Sequence, residues 1–443
     1  MFYINRDTPL NKELLEKMIR KFLQEDKPKR QKYKDYYDGV QKILLKEYAD
    51  KSKSCNKTVI NYAFCIANSY NGYIASPNHI TYKSDSNIED VMQVLRYNDY
   101  QSQDSYFLLD ALIHGVGVEL MYFDTNGQTR FKLINPTTCF GVYDNSLTGD
   151  LLYFVRMYEE NEWDNTQNYL VDVYSDYGIT QYRMNGLSGF LALVKEEEPH
   201  FFSQCPANIL SLPDEKSIFD CVMSKIDSIN ELISAEIDEY SDFADCYLML
   251  TGADLLPEDV AEMKKQRVIV LPEGATAAYL TKNANDTQVE NIRKFLHDSI
   301  YRDAQCPDFS SESFVNGVSS GIAIQYRLTG CETRAAMIEA LMKKALQRRV
   351  EIICGVASLK LGENLFRDIQ ITFKRNIPED ITSTINIVNS LKGSVSDATL
   401  LSQVPFVTDV NAELEAVKAQ KAENMSLYNF GMSANNEEET EVE

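Results

Sequence analysis

The stretch that follows Pro213 constrains the fold more than any other. From Ser217 to about Cys246, Phe219, Val222, Ile226, Ile229, Ile233, Ile237, Tyr240 and Ala244 step by three or four, close to a heptad seam. At 1.5 Å per residue, such a helix is roughly 45 Å long. Its other positions are one-sided in charge, with Asp220, Asp227, Glu231, Glu236, Asp238, Glu239, Asp242 and Asp245 set against Lys225. A monomer normally mixes signs along such a face for i,i+4 support. The bias therefore predicts a surface that stays negative and a seam suited to lateral packing around an axis.

A small α/β insert follows this helix. Tyr247 to Thr251 reads as a strand, Pro257 to Gln266 as a helix, and Arg267 to Leu271 and Ala277 to Thr281 as two more strands. A second amphipathic helix runs from about Asp286 to Ala304, so the two helices make an out-and-back excursion around the insert. A Pro-, Ser- and Gly-rich break over 306–320 separates it from the longest helical pattern in the chain, Gly321 to about Leu361.

Upstream, Leu14, Leu15, Met18, Ile19, Phe22 and Leu23 predict a helix from Lys12 to Gln24. Pro28 interrupts the basic run Lys27, Lys29, Arg30, Lys32 and Lys34, which reads as a solvated face or as an anion contact. Residues 56–74 and 88–114 carry helical patterns. At Gly117 the period changes. Val118 to Phe123, the turn Asp124-Thr125-Asn126-Gly127 and Arg130 to Ile134 predict a hairpin closed by Asn-Gly. Phe140–Tyr143, Leu151–Met157, Tyr169–Tyr174 and Thr180–Tyr182 extend it into a Tyr-rich antiparallel sheet, and 369–378 reads as a strand ending at Pro378. The C-terminal part is helical with breaks at Gly393 and Pro405, and the Glu-rich tail reads as disordered.

The chain's 443 residues suit two to four domains or lobes of roughly 100–200 residues each. With 44 Lys+Arg against 66 Asp+Glu, the net charge is −22. That repels phosphates over most of the surface and argues against a repressor or nuclease. The nine cysteines are dispersed without a Cys-x-x-Cys pair, so reduced thiols in a cytosolic setting are expected. Met1 to Lys12 lacks the apolar core of a secretory signal. The most apolar stretch, Tyr106 to Phe123, is broken by Asp110, His114 and Glu119 and does not suit a membrane span.

One catalytic motif matches literally, Gly317-Val318-Ser319-Ser320-Gly321, the Gly-x-Ser-x-Gly elbow of α/β-hydrolases. Loop-like sequence precedes it instead of a buried strand, and all four histidines come before Ser319. Ser319 or Ser320 as a cap for the following helix is the better reading. No Gly-Lys dipeptide exists to build a phosphate loop. Gly115-Val116-Gly117 reads as a bend before a strand, and Glu196-Glu197-Glu198 as a solvated loop. Scattered histidines make a zinc site improbable, and no cofactor is expected. Basic residues gather at Arg327, Arg334, Lys343, Lys344, Arg348 and Arg349. They read as partners for acidic helix faces, or as a positive ring near a polyanion.

The order of these parts resembles the portal proteins, or head–tail connectors, of tailed bacteriophages, in the branch typical of long-tailed phages of Gram-positive hosts. The blocks that carry it are Asn56-Lys57-Thr58-Val59-Ile60 to Gly72-Tyr73-Ile74, His114 to Glu119 through Ile134-Asn135-Pro136 and Val142-Tyr143-Asp144, Cys306-Pro307-Asp308-Phe309 with Asn316-Gly317 and Ser319 to Ala323, and Thr372 to Pro378. The resemblance implies an α+β ring subunit, typically one of twelve, that is a virion protein assembled in the host cytoplasm and not an enzyme. It implies a mixed α/β wing over 1–216 closed by the strand region 360–380, and a stem of 217–246 and 286–305. The clip is 247–285, the tunnel-loop region 306–320 (with 328–333 as a second placement), the long helix 321–359, the helical crown 381–430 and the acidic tail 431–443.

On that mapping, Asp308, Phe309, Glu312, Phe314, Asn316, Ser319, Arg327 and Arg334 belong to the DNA-facing loop and its support. Asp227, Glu231, Asp238 and Asp242 line the stem channel. Lys264, Lys265 and Arg267 form a clip contact for terminase and later for a head-completion adaptor. The implied partners are further copies of the chain, the terminase large subunit (which carries the ATPase), the adaptor, scaffold and major capsid proteins, and double-stranded DNA passing without sequence preference; no membrane is involved. Charge fits this role, because each phosphate contact adds affinity and therefore friction, whereas an acidic bore keeps DNA centred and mobile. The rival readings are another ring-forming virion protein, such as a head-completion adaptor, and more remotely a serine hydrolase using Ser319.

Overall fold

The computed structural model describes residues 2–50, 53–161, 168–186, 190–244, 248–252, 274–279, 286–308, 321–356 and 365–375, with shorter stretches between 386 and 421. At 242–244, 248–250, 277–279, 286 and 321–327 the description is of backbone alone. In chain order the elements begin with β1 (Phe2–Ile4), α1 (Lys12–Lys21), α2 (Lys27–Tyr37), α3 (Tyr62–Ile74), β2 (Ile80–Lys83), α4 (Glu89–Tyr97) and α5 (Tyr100–His114). The β-rich part holds β3 (Val116–Phe123), β4 (Thr129–Leu133), β5 (Cys139–Asp144), β6 (Leu151–Glu159), β7 (Asn168–Tyr174), β8 (Gly178–Asn185), β9 (Leu191–Pro199) and β10 (Ala207–Ser211). Then come α6 (Met223–Ala244), β11 (Leu248–Thr251), β12 (Thr276–Tyr279), α7 (Asp286–Asp303), α8 (Gly321–Cys354), α9 (Leu365–Asp368), β13 (Gln370–Phe373) and α10 (Asp397–Ser402). The fold class is α+β.

The chain divides into two compact units, 1–311 with 327–376, and 312–326 with 377–443. In the second unit, α10 and a helical stretch over 413–421 are described. The first unit holds the sheets. Contrary to the single antiparallel sheet expected, the β-rich part forms two. The β3–β4 hairpin pairs as anticipated, Glu119 with Leu133 through Phe123 with Thr129. Its other neighbour is β10, which was not anticipated. The remaining strands form a six-stranded sheet in the order β1-β5-β6-β7-β8-β9, with β1 parallel to β5. The 3₁₀ turn Pro136–Thr138 redirects the chain from one sheet to the other. Apolar residues of α1, among them Leu15, Ile19 and Met18, cover the larger sheet with Phe140, Val142, Val155 and Val171.

Several expectations change at their edges. The first helix does not stop at Gln24, because a π-helical turn over Phe22–Asp26 joins α1 to α2, which carries the basic run. Proline stands at the start of α2, where its missing N–H costs nothing. Arg30 from the supposed solvated run is buried, donating to Pro136 O at 2.6 Å and Cys139 O at 3.0 Å and pairing with Glu215 at 3.1 Å. Glu196–Glu198 are not in a loop but in β9, whose charged, exposed residues hid a strand from a pattern search. The long helix starts at Met223 and not at Ser217, since Asp214 and Glu215 take positive φ and Asp220–Val222 form a 3₁₀ turn. Helix α8 ends at Cys354, earlier than its apolar pattern suggested.

Gly115 is the bend the sequence implied. It ends α5 at φ +78°, and a Cβ there would lie 2.4 Å from the Glu215 backbone carbon. The polar interruptions of the apolar stretch become interior groups. Burial pushes the Asp110 carboxyl up to about 6 and the His114 imidazole down to about 4. Glu119 meets Arg349 of α8, whose Nε lies 2.8 Å from Glu119 Oε1 and Nη2 2.8 Å from Oε2. The same guanidinium donates to Asp104 of α5, which also accepts from the Tyr82 hydroxyl of β2 at 3.0 Å. Asn208 of β10 bridges Glu119 and the Ala345 carbonyl. Phe131 and Phe107 lie 4.5 and 5.8 Å from the Arg349 carbon. Burial outweighs the Arg349 charge and raises the Asp104 carboxyl above its ordinary value.

Removing this cation strands two buried carboxylates. Arg349→Met is expected to cost about 3–5 kcal/mol of unfolding free energy in urea titration. The triple variant Arg349→Met/Asp104→Leu/Glu119→Leu is expected to recover much of that loss. A single variant as stable as the parent would refute the assignment.

Candidate functional site

Helices α6 and α7 pack against each other, and β11 and β12, which lie between them in the chain, pair antiparallel. Near the base of the pair, Lys225 of α6 pairs with Asp303 of α7 and donates to the Ser299 carbonyl at 3.4 Å. The hairpin register runs from Leu248 opposite Tyr279 to Thr251 opposite Thr276. Both flanking helices and these two strands were legible in the sequence. The intervening helix Pro257–Gln266 and strand Arg267–Leu271, with Lys264, Lys265 and Arg267, lie outside the described residues.

The acidic face of α6 is less uniform than its sequence suggests. Asp220 accepts from the Tyr33 hydroxyl at 2.7 Å, and Asp227 from Tyr36 at 2.6 Å. Asp238 is buried, only 5% exposed, and is approached by four donors. These are the Asn56 backbone N–H, Asn56 Nδ2 at 2.8 Å, Lys46 Nζ at 3.0 Å and the Tyr48 hydroxyl at 3.2 Å. Among the four expected channel-lining acids, Glu231 is exposed, while Asp227 and Asp238 are turned toward the N-terminal part of the chain. Asp242 belongs to α6, and its side chain lies outside the description. The charge pattern misled here because it counted acids without asking what lay against them.

Asp238 is one rung of a ladder. Asn230, Ser234 and Asp238 stand four residues apart on α6 and are all buried. They accept the backbone N–H groups of Ile60 at 2.9 Å, Thr58 at 3.0 Å and Asn56. Four helical residues rise about 6.0 Å, and two residues of an extended chain about 6.6 Å, so alternate N–H groups of the strap meet successive turns of the helix. The i,i+4 polar spacing was visible in the sequence. What lay opposite it was not.

At the other end of the excursion, α7 meets α3. The Tyr62 hydroxyl lies 2.9 Å from His297 Nδ1, and His297 Nε2 lies 3.1 Å from Asp308 Oδ2. A donating Tyr62 hydroxyl and a protonated Nε2 satisfy all three groups. Burial, followed by the Asp308 charge, pushes the Tyr62 phenol up to about 12. Arg334 is engaged by backbone carbonyls within the first unit. It donates to the carbonyls of Ala304 at 2.7 Å and Ile218 at 2.8 Å, closing the end of α7 against the chain leading into α6. Of the other expected basic residues, Arg348 serves backbone carbonyls of 205 and 207, while Lys343 and Lys344 are exposed. Arg327 lies in α8, described by backbone alone. Phe309, Glu312, Phe314, Asn316 and Ser319 lie outside the described residues.

The outer surface of the helix pair carries apolar groups in water. Ile237 and Tyr240 of α6 are 37% and 83% exposed, and Ile292 and Phe295 of α7 are 42% and 63% exposed. Their packed counterparts Phe219, Val222, Ile226 and Ile229 are buried. Among the described residues, no group of three His, Cys, Asp or Glu is placed to hold a metal.

The ladder supplies a pH-dependent prediction. Burial alone would raise the Asp238 carboxyl, but the hydrogen bonds of Asn56 and the Lys46 ammonium overcome it and hold the group below its usual 3.8. A depressed folded-state pKa contributes stability above the unfolded value, and that contribution is lost as pH falls through the folded value. Asp238→Asn is therefore expected to destabilise at pH 7 and to flatten the stability loss between pH 5 and 2, both to be read by urea titration. Ser234→Ala is expected to cost about 1 kcal/mol with no pH dependence of its own.

The family described as phage portal protein, SPP1 Gp6-like, matches residues 17–427. No curated protein matches the chain. Portal proteins are structural components of the virion at the head–tail connection of the capsid, concerned with genome packaging and typically dodecameric. With the match covering nearly the whole chain, including both excursion helices and the sheets, this protein belongs to the SPP1 Gp6-like phage portal protein family.

Proposed function

We propose that the chain is one subunit of a ring around a channel through which double-stranded DNA enters and leaves the capsid. The observation that carries this reading is the α6–α7 pair, whose α6 seam is buried at Ile226 and Ile229 but stands in water further along at Ile237 and Tyr240, as do Ile292 and Phe295 of α7. Apolar residues left in water on a helix pair are suited to a neighbouring copy, and cyclic symmetry repeats the contact until it closes. In this reading the pair is the stem (217–246 and 286–305), the hairpin between is the clip (247–285), and the sheets with 360–380 are the wing. The division of the chain at 312–326 and 377–443 supports treating the tunnel loop and crown as a separate body.

The lining of the channel follows from the net charge of −22. Repeated around an axis, exposed stem acids such as Glu231 repel phosphates and keep a duplex from adhering. Asp227 and Asp238, engaged elsewhere, drop out of that set. The clip cluster Lys264, Lys265 and Arg267 is the proposed contact for terminase and then for a head-completion adaptor, with its charges tuning on-rate and partner choice. Phe309, Glu312, Phe314, Asn316 and Ser319 are the proposed duplex-facing loop, whose start is fixed by the Asp308–His297 hydrogen bond.

Negative-stain images of the purified chain are expected to show rings with a central hole. Tyr240→Asp with Phe295→Asp is expected to leave the circular dichroism unchanged and give monomers near 50.5 kDa in sedimentation. Rings formed equally well by this variant would remove the α6–α7 face from the subunit contact. Glu312→Lys with Asn316→Lys is expected to preserve rings and lower the yield of packaged DNA, because every subunit then adds phosphate contacts. Undiminished packaging would exclude the loop placement.

A further inference from the structure

Strand β9 closes the six-stranded sheet on one side, and among the described residues no strand pairs with its outer edge. Its nine residues are long for an edge, and all but Leu191 are exposed. Leu193 and Val194 are 54% and 41% exposed, and the pairing with β8 shifts register at Val194 and again before Glu198. Unpaired backbone groups flanked by apolar side chains make a template for another strand. The N-terminal end of β9 is held where the Leu191 N–H donates to Glu16 at 3.0 Å.

The C-terminal end of β9 adds anchors. His200 follows the strand, its N–H donating to the Tyr177 carbonyl, and the next residue, Phe201, sits at φ +64° with 74% of its surface exposed. A large non-glycine residue in the left-handed region is strained, and its ring stands out in water. Tyr177, in the adjoining turn, is 61% exposed. The polar groups around this corner are mostly acidic. Glu197 accepts from Ser175, Asp176 lies in the same turn, and Glu196 and Glu198 flank Glu197 along the strand. Lys195 is the strand's one cation.

We propose that the β9 edge and its aromatic corner form a docking surface for an extended segment of another protein that bears lysine or arginine, pairing with β9 as an added strand. Charge selects this occupant. In-register parallel pairing of β9 with a second copy, or antiparallel pairing centred on the triplet, sets glutamates against glutamates. A basic segment instead places cations opposite glutamates of the triplet that share one face, while Tyr177 and Phe201 offer aromatic faces to its end. Pairing along a sheet edge supplies affinity from the backbone, and the alternate side chains supply specificity. The acidic residues thus guard the edge against copies of itself and admit its complement.

The test uses the full chain and a synthetic octapeptide of alternating lysine and valine, with a glutamate–valine octapeptide as control. At about ten times its dissociation constant, the basic peptide is expected to slow amide exchange over 191–199 by ~10-fold, and the acidic peptide to leave it unchanged. Glu196→Lys, Glu197→Lys and Glu198→Lys together are expected to weaken the basic peptide by about tenfold or more. Phe201→Gly relieves the backbone strain, so its thermal midpoint is expected to hold or rise while peptide affinity falls. Equal protection by both peptides, protection elsewhere in the chain, or unchanged binding in both variants would overturn the proposal. So would protection of 191–199 without peptide that disappears on dilution, which would assign the edge to a second copy.

Discussion

A single guanidinium holds the first unit together. Arg349 draws one carboxylate from α5 and one from β3 onto the middle of α8, with Tyr82 of β2 and Asn208 of β10 bonded to the same acids. Five elements, drawn from residues 80 to 354, therefore meet at one buried charge. Such a cluster adds little net stability over an apolar core, because desolvation consumes most of the Coulomb gain. It adds exclusivity instead. A slip of α8 by one residue turns Arg349 by about 100° and leaves two acids buried without a cation. The 34-residue helix thus has one register against the sheets.

How far this was legible depended on whether an element announces itself locally. The β3–β4 hairpin did, through Asn126-Gly127 between alternating residues. Helix α7 did so through its apolar period, and β11 and β12 through short apolar runs bounded by turns, while the pattern over 56–74 hid a non-helical stretch before Tyr62 and that over 88–114 hid the break at Asn98 and Asp99 between α4 and α5. Strand β9 did not, because Lys195 and three glutamates remove the alternation that marks a half-buried strand. Nor did the roles of the basic residues. Arg334, Arg348 and Arg349 look alike in sequence as a cationic run, yet the first closes a helix end, the second serves carbonyls and the third is fully buried between acids. Charge in a sequence gives the sign of a group. Its partner comes only with the fold.

The same distinction separates the two ends of α6. At its base the helix is enclosed, with Phe219, Val222 and Ile226 wholly buried. Further along the same seam, Ile237 and Tyr240 stand in water. In a portal family member, where copies are arranged around an axis, an element incomplete by itself becomes complete by repetition.

The strap on α6 also acts as a vernier, two scales of unequal division laid side by side. Between the rungs at Asn230 and Asp238 the helix advances about 12 Å, and the strap from Ile60 to Asn56 about 13 Å. The rungs are satisfied because the discrepancy, of order 1 Å over two intervals, is shared among three hydrogen bonds, each able to vary by a few tenths of an ångström. The three bonding N–H groups share one parity of the strap, so moving it by a single residue turns them to its opposite side and loses all three rungs together.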